Sequence, residues 1–259
     1  MRRWLVALAL FVGALVGYGA LAAPLEVASS KAEILYVQGS VKVRSGGGAW
    51  KAADAEAELA PGDELTTGKN SAAMLALDNG TNLRVAAQTH IVVVDLRGGG
   101  SGKVRLQSGQ VWSDVEPTEG SGYEVEGPDA VAAVKGTSFG VEVEEGETVV
   151  SVAEGTVQCL AEGVQETLTP MQQLRARRGR HPLRAAFTAE KASAWVRWNL
   201  QNRAQILAAL RSMGVNPRKL TPAQKRKLRE KLQTIYRRKV SQHTPGPLRP
   251  PGPRRPPGR

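Results

Sequence analysis

Between about residue 32 and residue 174, short apolar runs alternate with glycine-bearing turns, and beyond residue 188 the apolar spacing changes to that of helices. Within residues 61–94, Pro61-Gly62-Asp63 reads as a turn: proline presets one backbone angle, glycine permits a positive one, and aspartate bonds its own following amides. Met74, Leu75, Leu77, Leu83, Val85 and Ile91 to Val94 then supply strand-like runs, broken by Asp78-Asn79-Gly80, whose Asn-Gly step suits a tight hairpin. Similar runs flank Gly46-Gly47-Gly48, the loop from Gly98 to Gly102, and Glu145-Gly146, a further predicted hairpin tip. None of this region keeps the 3.6-residue period over the ~11 residues that a helix needs. The expected fold is an all-β domain over 32–174, with β-roll, sandwich and irregular β-helix all compatible.

A polar-Gly-polar-Val pattern recurs at Gln38-Gly39-Ser40-Val41, Ser108-Gly109-Gln110-Val111 and Glu154-Gly155-Thr156-Val157. The spacing is too uneven for a solenoid or propeller. It predicts a local device in which a glycine bends a strand sharply without ending the sheet.

Two helices are expected over 188–240. Thr188 would cap the first, with Glu190 in its first turn and Gly214 as its stop; its apolar positions include Ala192, Trp195, Trp198, Ile206, Leu210 and Met213. After a linker at Asn216-Pro217, Thr221 would cap the second and Pro222 would open it, with Leu228, Leu232, Ile235, Tyr236 and Val240 on one face. The other face carries Lys225, Arg226, Lys227, Arg229, Lys231, Arg237, Arg238 and Lys239. Residues 241–259 hold seven prolines and four arginines and are expected to be a disordered or polyproline-like tail.

Charge sharpens this division. The net formal charge of +11 conceals 23 Lys or Arg against only Glu190 and Glu230 from Met171 onward, whereas the rest holds 12 basic and 22 acidic residues. Such asymmetry points to two functional parts, the basic one meeting an acidic surface. The candidate partners of the second helix are an envelope protein, an anionic envelope polymer, an anionic membrane surface, or the chain's own acidic β domain. Nucleic acid fits the charge but not an exported protein. Export is read from residues 1–23, where Arg2-Arg3, an apolar run from Trp4 to Leu21 and Ala20-Leu21-Ala22 follow the order of a secretory signal. The alternative is an uncleaved inner-membrane anchor, which the three glycines of the run disfavour. The expected compartment is the periplasm or beyond.

Catalytic chemistry finds no foothold in the residues. Asp63 and Asp78 sit at turns, where aspartate serves the backbone, and neither Ser71 nor Ser138 lies on a nucleophile elbow. Lys135-Gly136-Thr137-Ser138 has the lettering of a phosphate-loop tail without its upstream glycine. Cys159 is alone, so no internal disulfide or cysteine-based metal site is expected, and His90, His181 and His243 lack metal-ligand spacing. No catalytic, cofactor or metal residue is expected.

Six ordered blocks resemble FecR-type domains. They are Val37-Gln38-Gly39-Ser40-Val41 with Trp50; Leu59-x-x-Gly62-Asp63-x-Leu65-x-Thr67-Gly68-x-x-Ser71; Leu77-Asp78-x-Gly80-Thr81; Leu106-x-x-Gly109-x-Val111; Val134-Lys135-Gly136-Thr137-x-Phe139-x-Val141; and Val150-x-Val152-x-Glu154-Gly155-x-Val157. The segment from Phe187 to Asn202, with Trp195 and Trp198, is similar to the helix that often trails such domains. The resemblance implies an envelope β domain, and together with the charge asymmetry it points to a non-enzymatic binding or scaffolding role. The best-known members are transmembrane regulators with a cytoplasmic anti-sigma segment and a small α/β domain that contacts a receptor. Here Met1-Arg2-Arg3 precede the apolar run and basic helices follow the β domain, so that mechanism is not carried over. A periplasmic signalling component acting through another protein is the alternative reading.

Overall fold

At each of the three polar-Gly-polar-Val sites the chain passes from one sheet to the other. The computed structural model describes residues 31–78, 80–97, 101–117, 122–212 and 220–242. The expected signal segment, Asn79, Gly214, the Asn216-Pro217 linker and the tail beyond residue 242 lie outside the described residues. Within them, two largely antiparallel sheets pack face to face. One sheet runs in the order β4 (Glu58–Leu59), β1 (Ala32–Gln38), β6 (Ala72–Ala76), β7 (Asn82–Val85), the end of β9 (Ser101–Asp114), β12 (Ser138–Glu144), β13 (Glu147–Glu154), β16 (Gln172–Ala176) and β17 (Leu183–Ala186). We call it the covered sheet, because the helices lie on it.

The open sheet runs β3 (Lys51–Ala52), β2 (Val41–Arg44), β5 (Glu64–Thr67), β8 (His90–Arg97), the start of β9, β10 (Gly122–Glu126), β11 (Val131–Val134), β14 (Val157–Ala161) and β15 (Val164–Leu168). Its β9–β10 pair is parallel. The architecture is a sandwich.

At the crossings from one sheet to the other, Gly39, Gly109 and Gly155 take φ of 71°, 87° and 81°. Space enforces glycine as firmly as angle does: a Cβ on Gly109 would stand 2.6 Å from the Thr89 Cα, and one on Gly155 2.5 Å from the Gly136 carbonyl oxygen. Between crossings, alternate residues of both sheets fill one core, from Ile34, Leu75 and Phe139 on the covered sheet to Leu65, Ile91 and Tyr123 on the open one. Cys159 belongs to this core, and burial pushes its thiol up to about 12.

The predicted turns form, with adjustments. Glu145 and Gly146 both have positive φ between Glu144 and Glu147, as a two-residue hairpin requires. The β6–β7 hairpin is wider than the Asn-Gly step suggests, since Ala76 pairs with Asn82 and the Leu77 amide donates to the Thr81 carbonyl at 2.9 Å. Strands continue past residue 174 to Ala186, because β17 pairs back along β16. The first helix, α1 (Ala194–Arg211), is capped by Ser193 instead of Thr188: the Ser193 Oγ accepts from the Val196 amide at 3.1 Å. Thr188 closes a separate turn, its carbonyl accepting from the Lys191 and Ala192 amides, which leaves Glu190 outside the helix. The second helix, α2 (Pro222–Gln242), begins as expected and extends two residues into the segment read as tail. Its Thr221 and Gln224 form a reciprocal capping box, amide to side chain in both directions. No helix among the described residues is long and apolar enough to cross a membrane.

Candidate functional site: the helical cap on the covered sheet

Every residue of β6 (Ala-Ala-Met-Leu-Ala) is buried, and a strand apolar on both faces must be covered on both. The sandwich core takes Ala73 and Leu75; α1 and α2 take Ala72, Met74 and Ala76, together with Leu35, Tyr36 and Trp112. An aromatic ladder fills the junction. Trp195 stacks on Trp198 at 5.6 Å, Trp198 meets Tyr236 at 4.9 Å, and Tyr236 meets Tyr36 at 5.0 Å. These contacts tie α1, α2 and β1 into one layer.

A polar network lies beside this ladder. Arg84 on β7 is fully buried; one terminal nitrogen donates to Asn199 Oδ1 of α1 at 2.5 Å, and the other to Asp114 Oδ2. Asp114 Oδ1 accepts from the Ser138 hydroxyl at 2.5 Å and from Arg203 Nε at 3.1 Å, and Arg203 also pairs with Glu154. Burial pulls the Arg84 guanidinium down to about 10, so it remains a cation at neutral pH. A cavity of about 130 Å³, lined in part by Asn82, Asp114, Ser138, Glu154 and Arg203, separates this end of α1 from the sandwich. On β12, Glu142 receives the hydroxyl of the α1 cap Ser193. Burial pushes its carboxyl up to about 7, Glu144 pushes the same way, and Ser193 and Arg175 pull down.

The cations of α2 divide into two groups. Lys225 donates to the buried Glu33 of β1 at 2.6 Å, and Arg229 pairs with Glu56, so both fasten the helix to the sandwich. Lys231 reaches the Ser212 hydroxyl at 3.2 Å. Arg226, Lys227, Lys231 and Arg237 are exposed, while Arg238 and Lys239 lie on the backbone of α2 with side chains outside the described residues. The basic face is therefore partly consumed within the molecule. No group of three or more His, Cys, Asp or Glu among the described residues could hold a metal ion.

Arg84, Asp114, Glu142, Asn199 and Arg203 were not singled out by the sequence. The available signal was indirect: Asn82-Leu83-Arg84-Val85 places an arginine on the same face as the apolar outward residues of neighbouring β6, which anticipates a buried ion with a partner.

A family model described as FecR protein matches residues 63–158, from the turn before β5 into β14. These residues form a FecR-type domain. Strands β1–β4 and β15–β17, outside the matched residues, complete the same sandwich. Two crystal structures of a proposed anti-sigma factor from Parabacteroides distasonis ATCC 8503, at 1.65 and 2.50 Å resolution, are similar to the chain with 24% identity and a TM-score of 0.46. The similarity covers 51% of this chain and 64% and 63% of theirs, less than two thirds of their length. None of the curated proteins matches.

Proposed function

We propose that this FecR-type domain protein works in the cell envelope, exported from the cytoplasm, as a non-enzymatic binding scaffold within a signalling system. The FecR match supports the compartment and the signalling context. The observation that carries the scaffold reading is the buried polar network that joins the cap to the covered sheet. Arg84, Asp114, Ser138, Asn199, Arg203 and Glu154 bind one another across two layers, as groups that fix a geometry do. Partners of this scaffold are an envelope protein or an anionic polymer meeting the outward cations of α2, chiefly Arg226, Lys227 and Arg237.

Crosslinking in envelope fractions tests the proposal. The wild-type chain should recover partners that the Arg226→Gln/Lys227→Gln/Arg237→Gln variant recovers several-fold less, and that 0.5 M salt releases. Equal recovery by both, insensitive to salt, would remove the electrostatic reading. A deletion strain with an unchanged envelope response would remove the signalling one.

A further inference from the structure

Among the described residues, a dense exposed cationic feature lies away from α2, on the hairpin joining β16 to β17. From Met171 to Ala186 the sequence MQQLRARRGRHPLRAA carries Arg175, Arg177, Arg178, Arg180 and Arg184, without a lysine or an acidic residue. The two arginines on the strands are engaged: Arg175 with Glu147 at 2.8 Å, and Arg184 with Glu166 at 3.5 Å and the Thr167 carbonyl at 3.3 Å. The three at the tip are exposed, and among the described residues no carboxylate pairs with them. The Arg180 amide donates to the Arg177 carbonyl at 3.0 Å, with Gly179 at φ 70°, so Arg177, Arg178 and Arg180 occupy three of the four positions of one β-turn. Three cations carried on one exposed four-residue turn concentrate positive potential there, which favours an anion that several of them can share.

We infer that this hairpin tip docks the protein on the phosphate layer of an anionic phospholipid surface. Two features favour phosphate at an interface over a carboxylate in solution. The cations are all arginine, whose planar fork binds phosphate oxygens in pairs and is less strongly hydrated than an ammonium. Leu183 stands beside the tip, opposite Arg175 in the β16–β17 register, and is 67% exposed, the most exposed of the large apolar side chains among the described residues. An apolar side chain beside phosphate-binding cations suits the boundary between headgroups and acyl chains. The inference goes beyond the scaffold reading, because none of these residues lies on α2 or in the cap. It orients the molecule with the β16–β17 edge towards the lipid.

Vesicle co-sedimentation of the full chain tests this, with phosphatidylglycerol vesicles against phosphatidylcholine vesicles. The neutral vesicles report any contribution from the shared apolar N-terminal run. Arg177→Gln/Arg178→Gln/Arg180→Gln should weaken partition onto the anionic vesicles roughly 100-fold at low salt, from several-fold per cation near such a surface. Leu183→Ser should weaken it a further few-fold with little change in salt slope. Arg226→Gln/Lys227→Gln on α2 should leave it within about twofold, which separates this inference from the scaffold proposal. The tip substitutions are at exposed turn positions, and unchanged thermal unfolding confirms that the variants fold. Equal partition of the tip variant and wild type overturns the inference. So does loss of binding on α2 substitution alone, or preferential binding of a DNA oligonucleotide or inorganic polyphosphate over the vesicles.

Discussion

The two sheets of the sandwich share one core and differ on their outer faces. On the open sheet, charges meet across neighbouring strands in water: Arg44 with Glu64 at 2.7 Å, Lys103 with Glu126 at 2.9 Å, Arg105 with the same carboxylate at 3.0 Å. The guanidinium of Arg44 holds the Glu64 carboxyl below the usual range, with His90 adding to it, and Trp50 lies over Arg44 at 4.7 Å. On the covered sheet the equivalent positions are Leu35, Tyr36, Met74 and Trp112, with Arg84 set among them. A face of paired charges is finished once it meets solvent. An apolar face holding one cation needs a second layer that supplies both apolar contact and counter-charge, and α1 with α2 supplies both. The ladder of aromatic rings gives the cap its affinity, and the buried ions give it one orientation.

The largest effect should come from breaking that second requirement. Arg84→Ala leaves Asp114 buried with Arg203 as its remaining cation and strands Asn199 Oδ1. Urea unfolding should show a loss of about 3–5 kcal/mol. Trp198→Ala, which removes the middle of the ladder, should cost a similar amount through the cavity it leaves. A loss under about 1 kcal/mol for both would mean that the cap is not integral to the fold.

At the other end of the cap, Lys225→Ala removes the cation from Glu33, whose side chain is 6% exposed against 18% for Lys225. An expected cost of about 2–3 kcal/mol follows from a carboxylate left nearly dry. Lys225→Arg should recover part of it. A surface pair would show neither effect.

Glu142 sharpens the comparison through pH. Its folded carboxyl titrates near 7, against a usual 4.5, so its contribution to stability is full below about 4.5 and lost as pH rises through about 7. Each pH unit between folded and unfolded titration corresponds to about 1.4 kcal/mol. Glu142→Gln should therefore stabilise the protein at pH 8 by about 1–3 kcal/mol and flatten the dependence between pH 5 and 8. The charged groups that face it, Glu144 from its own strand and Arg175 from β16, stay in place in this variant. Thermal melts across that range decide the matter. A stability of wild type that rises from pH 5 to pH 8 and falls on substitution would contradict the assignment.

Much of this contrast could be read in the residues. Alternation and glycine placed the strands, and the repeated Gly39, Gly109 and Gly155 device was visible as a bend, because positive φ and close approach leave glycine alone acceptable. The apolar faces of α1 and α2 were visible for the same reason that they bury. What sequence could not supply was pairing at a distance: Arg84 meets Asn199 across 115 residues, and Lys225 meets Glu33 across 192. A cation on a helix looks alike whether it faces water or a buried glutamate, so Lys225 and Arg229 were grouped with Arg226 and Lys227. The Arg177–Arg180 turn is part of the basic half in sequence, because what sets it apart, the lack of a carboxylate partner among the described residues, is defined only by folding.

The smallest effect should be on the open sheet. Lys103 bridges Glu124 and Glu126, and Arg105 reaches Glu126, with side chains between about a quarter and a half exposed. Double substitution of Lys103 and Arg105 by Gln should cost less than about 1 kcal/mol, since exposed pairs gain little over their hydration. That small cost should vanish in 0.5 M salt, whereas the cost of Arg84→Ala should persist, because ions shielded from solvent are screened much less. If the open-sheet variant lost as much as the covered-sheet one, and kept that loss in salt, the outer face of the open sheet would have to be packed against something in solution. The contrast between a finished face and a capped face would then fail at its simpler half.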